Sequence, residues 1–201
     1  DETKANVRAR AGIPLFGVEA RIVDADTLEP QPWDDVATGE LQVRGPWCAK
    51  EYYNPDAGVQ LSTDDGWMKT GDVAAMDEFG SIRIADRTKD LIKTGGEWIS
   101  SVELENTVMS NPAIAEAAVV GAADETTGQA VCAFVILREG VENTGDQLIA
   151  ELRQQVSVEI SPIAKPREIN VVPELPKTRS GKIMRRLLKD VAEGRTVGDT
   201  T

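Results

Sequence analysis

Apolar and polar residues alternate through GVEARIVDA (residues 17–25), GELQVRG (39–45) and GSIRIAD (80–86). A period of two places every second side chain on one face of an extended chain, so each run predicts a short, half-buried strand. Pro30, Pro32, Gly39, Pro46 and the Asp64-Asp65-Gly66 triplet punctuate these runs with turn chemistry. Short, closely spaced strands with one polar side predict a small barrel or sandwich.

The pattern changes near Asp86. SSVELENTVMSNP (100–112) has the helical period; Ser100 with Glu103 fits a capping box, and Pro112 marks the stop. Two continuous apolar runs, IAEAAVVGA (114–122) and AVCAFVILRE (130–139), predict strands joined by the turn ETTGQ. GDQLIAELRQQVSVEI (145–160) returns to the helical period. A strand around 168–172 and a helix from about Ile183 complete the chain. The expected class is α+β: a β-rich subdomain shaped as a small distorted barrel, then a small α+β domain whose short mixed sheet is flanked by helices.

Composition narrows the chemistry. The 201 residues carry 34 acidic and 22 basic side chains, a formal charge of −12, which argues against broad nucleic-acid binding. There is no histidine, so no Ser-His or Cys-His pair can form within the chain. The two cysteines, Cys48 and Cys132, have no metal-site spacing and read as buried thiols, which fits a cytoplasmic location. The apolar run Ala130–Leu137 is too short to cross a bilayer. The polar opening DETKANVRAR has no signal-peptide pattern and no initiating methionine, which leads us to expect a piece of a longer protein.

Against this acidic background, PELPKTRSGKIMRR (173–186) concentrates Lys177, Arg179, Lys182, Arg185 and Arg186 against Glu174 alone. The segment reads as a solvated basic helix face, a phosphate loop, a nucleic-acid patch, or a loop that delivers one lysine to an anionic reaction centre. The phosphate-loop reading fails, because Pro176 stands where the first glycine belongs and Ile183 follows Gly181-Lys182. In GWMKTGDVA (66–74), Thr-Gly-Asp reads either as a turn closing a hairpin or as a carboxylate, Asp72, able to accept both hydroxyls of a ribose. In ADRTKDLIKTGGEWISSVELEN (85–106), Lys89-Asp90 sits where the pattern changes, and Gly95-Gly96 reads either as an ordinary turn or as a close approach for a ligand.

Taken in order, AGIPLFGVEARIVD, GELQVRGPW, WMKTGDVA, DRTKDLIKTGGEWISSVELEN and PKTRSGKIMRR resemble the sequence blocks of the adenylate-forming superfamily, and within it the AMP-forming acyl-CoA synthetases. Glu97-Trp98-Ile99-Ser100 is most similar to the medium- and long-chain fatty acid ligases. The resemblance implies activation of a carboxylic acid by ATP to an acyl-adenylate, then transfer to CoA. It implies that residues 1–86 are the last, β-rich subdomain of a large adenylation domain and 87–201 a mobile C-terminal domain. Residue by residue, it implies that Asp72 and Arg87 bind nucleotide, Lys89 is the hinge, Gly95 and Gly96 line the CoA channel, and Lys182 is catalytic.

The family's Ser/Thr/Gly-rich loop and aromatic-x-Thr-Glu segment do not occur in these residues. The resemblance therefore implies that ATP, Mg2+ and the acid are held mainly by a part outside this chain, and that this piece alone is inactive. An enzyme that loads a carrier protein, and a non-catalytic nucleotide- or CoA-binding module, are the alternatives. The expected partners are a fatty or related carboxylic acid, ATP and CoA, with neither nucleic acid nor a transmembrane segment; homo-oligomers would form through the full-length protein.

Overall fold

A computed structural model describes residues 10–51, 60–141 and 145–196. It divides between Lys89 and Asp90 into two compact units, each with its own core. The first unit is an antiparallel sheet of β1 (Glu19–Val23), β2 (Gly39–Arg44), β3 (Met68–Met76) and β4 (Ile82–Arg87), in that order. The barrel-like expectation thus takes the form of an open meander, with β1 and β4 at opposite ends. Ile22, Leu41, Ala74, Met76 and Ile82 pack together on it. Trp67 is buried just before β3, with the guanidinium groups of Arg21 and Arg44 at 4.4 and 4.5 Å from its ring. These positive groups face the negative π-cloud and keep their outer edges in water.

The second unit holds β5 (Ile92–Thr94), β6 (Glu97–Ile99), α1 (Ser101–Met109), β7 (Ile114–Asp124), β8 (Gly128–Leu137), α2 (Asp146–Glu159), a single 3-10 turn (Pro162–Ala164), β9 (Glu168–Val171) and α3 (Arg185–Ala192). Its sheet runs β6-β5-β8-β7, with β9 parallel to β8 and the other pairs antiparallel. The class is α+β, with an antiparallel sheet in one unit and a mixed sheet flanked by helices in the other.

Alternation along β8 separates two cores. Val131, Ala133 and Val135 face Leu104 and Val108 of α1 and Leu148, Leu152 and Val156 of α2. Cys132 and Phe134 face the other way, with Leu175 and Leu188. A strand covered on both faces must be apolar at successive positions, which is why β7 and β8 read as continuous runs. Cys132 is buried, and desolvation raises its thiol above the ordinary value; Cys48, expected to be buried as well, is only half-buried.

Helix α1 starts as its sequence dictates. The Ser100 side chain accepts the Glu103 N–H at 3.2 Å and so occupies one of the donors a helix start leaves open. The last helix starts two residues later than its period suggested. Ile183 forms an antiparallel bridge with Lys177, and Met184 N–H donates to Pro176 O at 2.8 Å, so both residues are held extended.

Ser100→Ala is expected to destabilise the chain by about 1 kcal/mol, and Ser100→Asp to restore most of that loss. Urea unfolding monitored by circular dichroism checks both; equal stability of the alanine variant and the parent would mean that the cap contributes nothing.

Candidate functional site

Asp72 and Arg87 are brought together by the β3–β4 ladder, in which they are direct partners, with Arg87 Nε 3.1 Å from Asp72 Oδ1. Thr70-Gly71-Asp72 does not close a hairpin. It lies within β3 as a bulge: between the Gln42–Lys69 and Glu40–Val73 pairs, three residues of β3 oppose Leu41 alone. Gly71 takes φ +74°, which a side chain would resist. The Thr70 hydroxyl donates to Leu41 O at 2.9 Å and accepts the Asp72 N–H at 3.1 Å, while Thr88 N–H donates to Gly71 O at 2.9 Å. Three of the backbone groups at the bulge are thereby satisfied, and Asp72 is half-buried at a fixed point of the strand. Lys89 is exposed in the turn that follows β4, at the boundary between the units.

Gly95 and Gly96 are the two central residues of the β5–β6 hairpin, with φ +56° and +89°. Two successive positive φ values define the type I′ turn, whose twist matches that of the strands it joins. The two glycines differ in their surroundings. A Cβ on Gly95 would collide with the Ile163 side chain, whereas one on Gly96 would meet open space. Gly95 N–H donates to Thr127 O at 3.0 Å, which ties the hairpin to the β7–β8 turn. Beside it, Trp98 is 44% exposed with Lys93 Nζ 4.5 Å from its ring centre.

The β7–β8 turn is organised by Asp124. Its Oδ1 accepts the N–H groups of Thr126 and Thr127 at 3.0 and 2.8 Å and the Thr127 hydroxyl at 2.9 Å, and its Oδ2 accepts Arg167 Nη1 at 2.8 Å. The Thr127 N–H contributes most to lowering the carboxyl to about 2, followed by the Thr127 hydroxyl and the Thr126 N–H. Asp124 thus fixes the turn against which Gly95 rests.

Lys182 stands on a separate element of the second unit, the excursion between β9 and α3. Thr178 N–H donates to Lys182 O at 2.8 Å, Gly181 N–H to Thr178 O at 2.9 Å, and Lys182 N–H to the Thr178 hydroxyl at 3.2 Å. Gly181, at φ +81°, permits the reversal. Lys182 is exposed, and its ammonium makes no ion pair among the described residues. Its neighbours are engaged differently: Lys177 Nζ lies 2.7 Å from Glu116 on β7, and Arg185 Nη2 donates to both oxygens of Glu105 on α1 at 2.9 and 2.8 Å.

Neither carboxylate was anticipated from the sequence. Glu105 carried one legible signal, since it shares the Ser101, Leu104, Val108 face of α1 that packs inward, where an acid needs a partner. No group of three or more His, Cys, Asp or Glu residues able to hold a metal occurs among the described residues. Nor is any described helix long and apolar enough to cross a membrane.

Two family models match, the AMP-binding enzyme model over residues 1–53 and the AMP-binding enzyme C-terminal domain over residues 103–182. The acetyl-coenzyme A synthetase of Mycolicibacterium smegmatis is 48% identical over 198 residues, covering 94% of this chain and 21% of that protein. Among solved structures, the ATP-bound RpMatB-BxBclM chimera B1 superposes with a TM-score of 0.81 at 30% identity, over 92% of this chain and 36% of that one. The o-succinylbenzoate CoA synthetase of Bacillus subtilis, in complex with its acyl-adenylate intermediate, gives 0.74 at 32% identity, over 98% and 38%. The chain belongs to the adenylate-forming, AMP-binding enzyme family, in its acyl-CoA synthetase branch. It spans between 21% and 38% of the length of these relatives. Curated relatives that are 45–48% identical, from Mycolicibacterium and Streptomyces, are acetyl-CoA synthetases, not the medium- and long-chain ligases that Glu97–Ser100 had suggested.

Because the folded-state pKa of Asp124 lies below the ordinary carboxylate value of about 4, its contribution to stability is complete above that pH and is lost as pH falls towards about 2. Asp124→Asn should flatten the dependence of the unfolding midpoint on pH between those limits. Parallel curves for variant and parent would overturn this assignment.

Proposed function

We propose that this chain is the C-terminal portion of an AMP-forming acyl-CoA synthetase, which converts a carboxylic acid and ATP to an acyl-adenylate and passes the acyl group to CoA. The carrying observation is Lys182, an exposed ammonium with no ion pair among the described residues, on a tied loop whose flanking cations Lys177 and Arg185 are held by Glu116 and Glu105. Adenylation brings a carboxylate against a triphosphate, and negative charge grows at the phosphorus. An unspent ammonium is what such a centre requires, and removal of one group aimed at developing charge costs about 100- to 1,000-fold in rate.

In this reading Asp72 accepts the ribose hydroxyls, and Arg87, already held against it, lies near the ribose and phosphates. Residues 1–86 belong to the large adenylation domain and 87–201 to the small one. Lys89 is the hinge about which the small domain turns between half-reactions, and Gly95 and Gly96 line the CoA channel, where bare backbone allows close approach. Mg2+, which would offset phosphate charge, is assigned to the remainder of the parent protein, as is most of the ATP site. The acid we favour is short, acetate before a medium- or long-chain fatty acid, because the identity to acetyl-CoA synthetases extends over nearly the whole chain, whereas the resemblance to fatty acid ligases rests on four residues.

Acid-dependent ATP–pyrophosphate exchange, measured for this chain and for the full-length parent with acids from two to sixteen carbons, tests the reading. Exchange in the parent alone, strongest with acetate, is expected. Exchange by this chain alone would mean that the ATP site has been misassigned, and none by either would favour a non-catalytic binding module. In the parent, Lys182→Ala should lower exchange by about 100-fold or more and leave thioester formation from supplied acyl-adenylate largely intact. Equal loss in both steps would refute that division.

Lys89→Pro should separate the half-reactions, slowing one by about 100-fold more than the other, since a fixed φ restricts the hinge and misplacement by an ångström costs that much. Unchanged rates in both would remove Lys89 from the hinge.

A further inference from the structure

The segment that carries Lys182 is pinned on both flanks by carboxylates from distant parts of the chain. On the approach, Lys177 reaches Glu116 of β7 at 2.7 Å, across 61 residues of sequence. On the exit, Arg185 reaches Glu105 of α1 at 2.8 Å, across 80. Between them, the Lys177–Ile183 bridge and the Met184 N–H bond to Pro176 O close the base of the loop, and only the Thr178–Lys182 turn projects.

The two clamps are unlike in kind. Glu116 and Lys177 are both partly exposed, with side chains 32% and 39% accessible, so their pair is weak and easily screened. Glu105 is buried at 7%, and its Oε1 also accepts the Val119 N–H at 3.0 Å. β7 ends the sheet, and Val119 pairs with Ala133 of β8, so this carboxylate satisfies an edge amide as well as a guanidinium. The Nε of Arg185 is buried with no acceptor among the described residues, so loss of Glu105 would leave a partly buried cation poorly compensated. Leu187 and Leu188, two and three residues after Arg185, are buried, Leu188 in the core beneath, which fixes the far side of the clamp.

We propose that Glu105 and Glu116 are positioning residues for Lys182, which they serve in two ways. They fix both ends of its loop, and they occupy Lys177 and Arg185, the cations at its base, so that positive charge is left free only on the turn itself, where Lys182 is presented to the anionic substrate. This rests on the reading of Lys182 as the adenylation lysine. Neither carboxylate touches substrate.

The test uses the full-length parent, with acetate-dependent ATP–pyrophosphate exchange and thioester formation from supplied acetyl-adenylate measured side by side. Glu105→Gln, which retains an acceptor for the Val119 N–H but not the charge, should lower kcat for exchange by about 10- to 100-fold with little change in the KM for ATP. Thioester formation should stay within about twofold of the parent, because that step does not use Lys182. Glu116→Gln, at a surface where folding is not at risk, should lower exchange by about two- to fivefold. Lys177→Arg, which keeps the pair with Glu116, should retain exchange.

Loss of both half-reactions together in Glu105→Gln would mark a merely structural role and overturn the proposal. Full exchange in Glu105→Gln and Glu116→Gln, beside a Lys182→Ala enzyme that has lost it, would overturn the positioning role while leaving Lys182 in place. Exchange that survives Lys182→Ala would overturn the reading of Lys182, and the positioning role with it.

Discussion

The β7–β8 hairpin has no solvent face over most of its length, and the second unit is arranged around that fact. Ten residue pairs hold the two strands in register. Because successive side chains point to opposite faces, a hairpin this apolar must be covered twice. Helices α1 and α2 cover one face; Leu175 and the helix after the basic segment cover the other. The basic segment is therefore not an appendage. Leu175 and Leu188, both buried, anchor its two ends to the same sheet that supports the β5–β6 glycine turn. Lys182 and the glycine hairpin are both carried by this one sheet, though on different elements.

The same hairpin explains where the segment's charge goes. β7 ends the sheet, and the edge of a sheet presents unpaired amides. Glu105 meets one of them, at Val119, and also binds Arg185. A carboxylate so placed joins helix α1, strand β7 and the start of helix α3 through a single group. Burying an acid is costly unless its oxygens are fully used, and here both are. Lys177 and Arg185, on either side of the turn, are neutralised from below, whereas the Lys182 ammonium makes no ion pair among the described residues.

Much of this was legible locally. Helix α1 announced itself through Ser100, Glu103 and Pro112, and strands β7 and β8 through unbroken apolar runs, because capping and double-sided burial leave marks within a dozen residues. What the sequence concealed was set by pairing. The bulge at Thr70-Gly71-Asp72 depends on how β2 and β3 register, which neither strand specifies alone, and so it looked like a turn. The delayed start of α3 depends on a bridge between Ile183 and Lys177. The partners of Lys177 and Arg185 lie 61 and 80 residues away, beyond any local pattern. The likeness to fatty acid ligases gains no support for a related reason: it rests on four residues around Trp98, whereas the identity to acetyl-CoA synthetases is spread over nearly the whole chain.

A formal charge of −12 opposes the approach of any polyanion, such as the triphosphate of the proposed function, but range decides the matter. At physiological ionic strength the field of an exposed charge decays over about 8 Å, so acids distributed over the rest of the surface contribute little at the turn. Along the chain, Arg179 stands three residues before Lys182, and Glu174 is the one acid in residues 173–186. Glu105 and Glu116 are each engaged with a cation of their own, Arg185 and Lys177, and cancel those charges rather than the lysine's. An ammonium on a flexible stem in such a setting behaves as a compact positive point, suited to a centre where charge appears during one step and is gone in the next. The acidity of the whole and the basicity of the turn are compatible because screening separates them, and the two carboxylates that pin the segment, Glu105 and Glu116, are already occupied.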